Sequence, residues 1–459
     1  MDIAAPTSRS APWRPPPAAG WRDARTAMTV APPGFLAPLL QHPVAVFGGA
    51  TSGSAVATLL AQLGARDVVF DERPDIGTAH AFTAADAAAF RLVVFSPGFN
   101  AGHPWLQTAR AAGGTCLGEL DFAALFWPGH VVAVTGTNGK TTLVEFLTHA
   151  LLAEGEDVFG VGNIGFPFSR LITFKRDAGP DSIAVCEVSS FQAETLQHFR
   201  PDAVLWTNFA EDHLERHPGM RAYFQAKWNL AVRARPEAVF AGSSVQRSAL
   251  EYGQTLPPAA VISTEGLAPD PRLAGTVFAS YPQRENFELA RAWWRHDGRA
   301  EADLYAAART FKTGRHRLAP VRELRGVTFW NDSKATNFHA VEAALNTVPP
   351  PVHLIAGGRA KGGDLAGFVR RIAPKVRHCW LIGETAPALA ALCAGQHLPH
   401  TVCASLAEAV QGAFAAARPG DHVLLSPAFA SFDMFRGYAD RGERFEKLVH
   451  SLGTSPTFQ

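Results

Sequence analysis

Lysine is scarce in this chain. Eight of 459 residues are lysine, at positions 140, 175, 227, 312, 334, 361, 375 and 447, whereas lysine and arginine together number 42. Arginine supplies nearly all other positive charge, so a retained lysine suggests a need for a compact ammonium or a reactive amine. Cysteine is sparse too. Cys116, Cys186, Cys379, Cys393 and Cys403 are odd in number and form no C-x-x-C pair, which argues against a disulfide scaffold and for a reduced, cytoplasmic enzyme. No apolar run approaches the roughly 20 residues that span a bilayer, so no membrane insertion is expected. The charges nearly cancel at net +1, giving no reason to expect nucleic acid or an anionic membrane surface as partner.

Glycine and apolar residues are plentiful instead, with 40 Gly and 47% hydrophobic content. The chain is too long for one core and suggests two to four domains. Residues 1–42, with "RPPPAAGWRDAR" and "APPG", are Pro/Ala-rich and lack the apolar stretch of a signal peptide. They read as a disordered tail, and Met28 offers an alternative start. Beyond it, short β-branched strands end in Gly, Ser, Asn or Asp clusters and are followed by helical patterns. Strands are expected at 44–47, 68–70, 92–95, 131–134, 183–186, 203–206, 327–330, 352–356 and 423–425. That alternation predicts α/β domains with parallel sheets, whose ligands sit at the strand C-termini.

The first strand end, "VAVFGGATSGSAVATLL" (44–60), opens a helix after a glycine turn. The free N–H groups there favour an anion, but Ala50 stands where the dinucleotide fingerprint G-x-G-x-x-G needs its middle glycine. "VVFDER" follows with Asp71 at a distance suited to a ribose. Tight strand-to-helix packing would explain the glycines nearly as well. "HVVAVTGTNGKTTLVEFL" (130–147) carries more. It is a shortened phosphate loop, with Val134 where the P-loop pattern would place Gly. Gly136 and Gly139 let amides approach phosphate oxygens, Lys140 neutralises β/γ charge, and Thr141 or Thr142 offers a hydroxyl to Mg²⁺. A glycine turn with a solvated lysine is the plain alternative, and the scarcity of lysine counts against it.

Seven motifs then follow in order: "TGTNGKTT", "GNIG" (162–165), "EVSSFQ" (187–192), "TNFAEDHLERH" (207–217), "GRHR" (314–317), "NDSKATN" (331–337) and "SPAFASFD" (426–433). The series resembles the Mur ligases from about residue 43 to the C-terminus. The resemblance implies an α/β protein of three domains: a Rossmann-like N-terminal domain for the UDP moiety (43–120), a central P-loop-type ATPase domain (121–313) and a Rossmann-like C-terminal domain for the amino acid (314–459). Hinges would lie near 310–314 and around Gly118. The implied reaction adds D-glutamate to UDP-N-acetylmuramoyl-L-alanine, with ATP converting the substrate carboxylate to an acyl phosphate.

The resemblance also implies roles for individual residues. Gly136, Thr137, Asn138, Gly139, Lys140, Thr141 and Thr142 would hold ATP, aided by Asn286, Arg317 and Asp332. Two Mg²⁺ ions would be held by Thr141, Glu187, His213 and Lys227, the last carbamylated by CO₂ into an anionic oxygen ligand; Lys140, Glu187, His213 and Lys227 form the catalytic group. The UDP substrate would meet Gly48, Ser52, Asp71, Glu72 and Arg73, then Ser96, Gly98, Asn163 and Ser189. The amino acid would meet His316, Lys334, Thr336 and Lys361, with Ser431, Phe432 and Tyr438. No further partner is implied, and a monomer is expected.

Some positions depart from the family pattern. "PQREN" stands where H-N-x-x-N is common, so Asn286 alone is retained and Gln283 is a possible substitute; Arg359 and Tyr438 replace an acidic residue and Phe in some members. These departures blur nucleotide and side-chain contacts, not the reaction type. Ligation with L-glutamate, a related ligase for another Mur step or of folylpolyglutamate type, a mechanical or regulatory P-loop NTPase and a NAD-dependent dehydrogenase are the competing readings. The last leaves "GTNGKTT" and "NDSKATN" unexplained, and the NTPase reading would show ATP turnover indifferent to any muramyl substrate.

Overall fold

A computed structural model describes residues 31–257 and 261–453. Met28 and most of the expected tail lie outside the described residues. The remaining part of that tail is not featureless: residues 33–42 run through turns into a 3-10 turn at Leu39–Gln41, and Leu36 is wholly buried.

The strands gather into three sheets. In the first, β1 (Val44–Phe47), β2 (Asp67–Phe70), β3 (Leu92–Phe95) and β4 (Thr115–Gly118) are ordered β2-β1-β3-β4 and pair in parallel. All of β1 is buried, as a central parallel strand covered on both faces must be. Phe47, Phe70, Phe82, Phe90 and Trp105 pack on one face of this sheet, several of them edge-to-face.

The second sheet contains β5 (His130–Thr135), β6 (Val158–Gly162), β7 (Ile183–Glu187), β8 (Ala203–Trp206), β9 (Val239–Gly242) and β10 (Val261–Ile262), ordered β10-β9-β8-β5-β7-β6. Register decides what meets at its C-terminal edge. Val134 pairs with Glu187 and Thr135 with Trp206. The Gly136–Lys140 turn therefore begins level with the Glu187 carboxylate and the Thr207–Asn208 corner.

The third sheet is β11 (Ala319–Leu324), β12 (Val327–Asn331), β13 (Val352–Ala356), β14 (Val376–Leu381), β15 (His400–Val402) and β16 (His422–Leu425), ordered β11-β12-β16-β13-β14-β15. It is parallel except at β11, which forms an antiparallel hairpin with β12 through a turn holding Arg325 and Gly326 at positive φ. Pro320 lacks an amide to donate and sits on this edge strand, where the missing donor costs least. Asn331 is level with Leu425, and Ile355 pairs with Leu425 on its other side, so the loops following β12, β13 and β16 emerge together.

The chain divides into two compact units. One comprises Met1–Asn208, Phe224–Glu265 and Glu285–Phe311, with the first two sheets; the other comprises Phe209–Tyr223, Gly266–Arg284 and Lys312–Gln459, with the third. Among the described residues no helix is long and apolar enough to cross a membrane.

Candidate active site

The turn after β5 needs glycine for steric reasons. Gly136 has φ 144, and a Cβ there would lie 1.9 Å from the Thr207 hydroxyl. Gly139, at φ 82, begins the helix Lys140–Ala153 and abuts the Asn286 side chain. Two residues fix the turn's shape. Thr207 Oγ1 donates to the Asn138 carbonyl at 2.6 Å, and Asn208 Oδ1 accepts from the Asn138 amide at 2.9 Å. The result is a rigid loop of backbone amides at a helix N-terminus, which is built for phosphate. Lys140 Nζ folds back on the Gly136 and Thr137 carbonyls, both at 2.8 Å, while Thr142 is buried beneath.

Beside this loop, Glu187 is 3% exposed; its two oxygens accept from Thr141 Oγ1 at 2.5 Å and Asn163 Nδ2 at 3.1 Å. Ser189, two residues on, is committed to a capping box with Gln192. Lys227, on the helix Met220–Ala231, is 1% exposed and donates to Thr135 Oγ1 at 3.2 Å and to Gly136 O at 2.8 Å. Lys140 and Lys227 thus share one carbonyl oxygen. Two ammonium groups that close repel by roughly 3 kcal/mol at an effective dielectric near 20.

A cleft of about 500 Å³ opens at the C-terminal edge of the first sheet. Gly48, Ser52, Asp71, Glu72, Arg73, Ser96 and Gly98 all line it, so the structure unites seven of the nine residues expected to meet the UDP substrate. Asn163 and Ser189 instead lie just after β6 and β7 of the second sheet. Asp71 accepts from the Gly49 amide at 2.8 Å and from the Arg73 guanidinium at 2.7 and 2.9 Å. The Arg73 hydrogen bond holds this carboxyl well below the usual carboxylate range. Phe99 and His103 also face the cleft, with His103 Nε2 3.4 Å from Glu72.

In the second unit a crevice is lined by Asp212, His213, Thr336, Asn337, Lys361 and Phe429, among others. Asn337 Nδ2 donates to Asp212 Oδ2 at 2.8 Å; Lys361 Nζ lies 3.8 Å from Asp212 and 3.5 Å from Thr336 Oγ1. Burial alone would raise Asp212, but His213 and Lys361 together with Asn337 hold it below its ordinary value. His213, at φ 56, contacts Glu215 through Nδ1 at 3.4 Å and Asp212 through Nε2 at 3.7 Å.

The other expected amino-acid residues divide. Lys334 Nζ sits 4.0 Å over the Tyr438 ring, Ser431 is buried, and Phe432 is well exposed. His316 does not line the crevice. It is buried against Asn331 Nδ2 at 2.8 Å and Glu446 at 3.4 Å, and burial lowers its pKa. Asp332 is buried, and burial pushes it up to about 7 despite hydrogen bonds from the Ser426 hydroxyl and the Leu318 amide, with Arg317 nearby as a charge.

Residues 134–254 match the Mur ligase middle domain, and residues 316–429 match the Mur ligase glutamate ligase domain. The UDP-N-acetylmuramoylalanine–D-glutamate ligase of Gloeobacter violaceus is 37% identical over 445 residues, spanning 90% of this chain and 99% of that protein. The chain belongs to the UDP-N-acetylmuramoylalanine–D-glutamate ligase family. The namesake of Solibacter usitatus is 35% identical, over 89% of this chain and 97% of its own. Among solved structures, the UDP-N-acetylmuramate-alanine ligase MurC of Thermotoga maritima superposes with a TM-score of 0.55 at 14% identity, covering 89% of this chain and 99% of that one. MurF ligase of the same organism gives 0.53 at 18% identity, covering 89% and 94%. At such identities these neighbours speak for the fold alone, and it is the three-domain α/β fold expected from the motifs.

Thr207, Asn208 and Asp212 are legible in the sequence only as members of "TNFAEDHLERH", which contains all three. Their polarity within a strand-end motif was the available signal. Phe99 ends the strand-end turn "FSPGF" (95–99), and His103 carries no signal that separates it from packing residues.

Proposed function

We propose that this chain is an ATP-dependent ligase that adds D-glutamate to UDP-N-acetylmuramoyl-L-alanine in peptidoglycan precursor synthesis. The observation that carries this reading is the rigid Gly136–Lys140 loop set beside the Thr141–Glu187–Asn163 group. The amides of the loop and Lys140 bind and orient the ATP phosphates. One carboxylate oxygen of the alanyl group attacks the γ-phosphorus, ADP leaves, and an acyl phosphate forms. The glutamate amine then attacks the acyl carbon, giving up a proton as phosphate departs with that oxygen, leaving an amide. Positioning and charge neutralisation supply most of the acceleration.

The donor set around Glu187 suits Mg²⁺. Thr141 and Glu187 offer hard oxygen, and among the described residues no group of three His, Cys, Asp or Glu forms a protein-only cage. Mg²⁺ is ordinarily held by one or two carboxylates together with substrate phosphates. Bound there, it would neutralise the phosphate charge. Two ions, with His213 as a ligand, and carbamylation of Lys227 belong to this proposal. The shared Gly136 carbonyl supports the carbamate, because converting the Lys227 ammonium to an anion removes the repulsion from Lys140.

In the second unit, Lys361 and Thr336, with Lys334 and Ser431, receive the glutamate carboxylates. Domain limits of 43–120, 121–313 and 314–459, a monomeric state and a cytoplasmic location complete the proposal. The five buried, unbridged cysteines support the location. The test is phosphate release from ATP with UDP-N-acetylmuramoyl-L-alanine and a panel of amino acids. Release that requires D-glutamate is expected; faster turnover with L-glutamate, or release indifferent to the muramyl substrate, contradicts the reading.

A further inference from the structure

Arg441, on the helix Tyr438–Ser451, has no exposed surface. Its Nε donates to Ser333 Oγ at 3.0 Å, Nη2 to Ser333 O at 2.9 Å and Phe429 O at 3.2 Å, and Nη1 to Phe429 O at 3.2 Å. Every one of these acceptors is neutral. Burial depresses Arg441 to about 10, with Asp433 and Asp332 acting against that fall. Burying a cation without a hydrogen-bonded carboxylate is expensive, and an apolar side chain of similar volume would fill such a space at less cost. What an apolar side chain cannot do is hold two separate loops at once with a planar fork of donors.

Those two loops carry Lys334, Thr336 and Ser431, residues proposed above to receive the glutamate carboxylates. Ser333 precedes Lys334 and Thr336, and Phe429 precedes Ser431. Further contacts tighten the same joint. Ser333 Oγ donates to Tyr438 O at 2.8 Å, and the Ala428 amide donates to Ala335 O at 3.0 Å. Gly442, next to Arg441, lets the helix approach closely, since a Cβ there would come 2.3 Å from His316 Nδ1.

We propose that Arg441 is a positioning residue for the incoming amino acid, clamping the 333–337 loop to the 429–431 segment so that Lys334, Thr336 and Ser431 form one surface for its carboxylates. The proposal rests on the ligase reading above, and its test separates the two. In wild-type enzyme, hydroxylamine trapping with ATP and UDP-N-acetylmuramoyl-L-alanine reads acyl-phosphate formation with no amino acid present. Steady-state phosphate release reads the whole reaction. If wild type forms no hydroxamate and no amide, the ligase reading fails and this inference falls with it.

Given an active wild type, Arg441→Lys keeps the charge but cannot span both loops. It should raise KM for glutamate roughly 10- to 100-fold, the scale expected of a displaced binding group, while hydroxamate formation and KM for ATP stay within about twofold. A merely structural arginine would lower both half-reactions together or neither, and either result overturns the proposal. Ser333→Ala keeps the guanidinium and removes one acceptor, so it carries the same test should the lysine variant not fold. A several-fold rise in glutamate KM alone is expected from it, and an unchanged KM contradicts the clamp.

Discussion

Lys140 and Lys227 reach the same Gly136 carbonyl oxygen, each at 2.8 Å. Lys227 could be singled out from sequence because lysine is rare in this chain and its neighbours were apolar. Its partners could not, because Gly136 and Thr135 come to it from a distant strand end. If Lys227 works as a carbamate, Lys227→Ala should lower ligation by roughly 100-fold or more, as loss of a preorganised charge does. Acetate should then restore part of the rate. Lys227→Arg should remain inactive, because guanidinium keeps its charge. Phosphate-release assays with and without acetate check this, and full activity in the arginine variant would end the carbamate account. Arg441 shows the opposite case. Nothing distinguishes it in a chain where arginine is the ordinary cation, and only the folded structure reveals that it is buried.

At the scale of strands and loops, strands with continuous apolar runs, such as β1, β3, β5 and β13, are legible in the sequence. β4, β6, β9, β10, β14 and β15 lie outside the expected strands, because Gly, His or Arg interrupts the apolar pattern or only two or three residues pair. Antiparallel β11 was missed as well, its pattern broken by Pro320. The histidines in β13, β14 and β16 each make a polar contact with a neighbouring strand. Buried His353 contacts Asp421 through Nε2 at 3.2 Å and accepts from Trp380 Nε1 at 3.4 Å, while Arg377 bonds Asp421 at 2.8 Å. Burial lowers His353, His378 and His422, with Asp421 opposing the fall at His353 and His422.

The sign of the resulting pH dependence follows. Above an ordinary histidine pKa of about 6.5, the folded and unfolded histidines are both neutral and the stability is fully present. Below it the unfolded chain takes up protons first, so stability falls until the lowered folded pKa is reached. Asp332, raised to about 7, acts in the opposite direction because its folded form protonates first. Comparing melting temperature against pH in wild type and His353→Gln isolates the histidine. The decline in melting temperature from pH 7.5 to 5.5 should be shallower in the variant. Parallel curves would contradict a neutral, buried His353.

For the whole molecule, the three-domain α/β architecture was legible because each domain announces itself at a strand end: "FGGATSG", "GTNGKTT" and "NDSKATN". The convergence of Gly48, Asp71 and Ser96 in one cleft was legible in the same way, since parallel strands bring their C-terminal loops together. Local spacing could not reveal the side chains that hold those loops, because Thr207, Asp212 and Arg441 act on residues far away in the chain. The central claim is that ATP activates the substrate by forming an acyl phosphate. Its most direct test uses UDP-N-acetylmuramoyl-L-alanine carrying ¹⁸O in the alanyl carboxylate, with ³¹P NMR of the phosphate released during ligation. The account predicts one oxygen transferred from that carboxylate to phosphate in each turnover; ligation that releases unlabelled phosphate would contradict it.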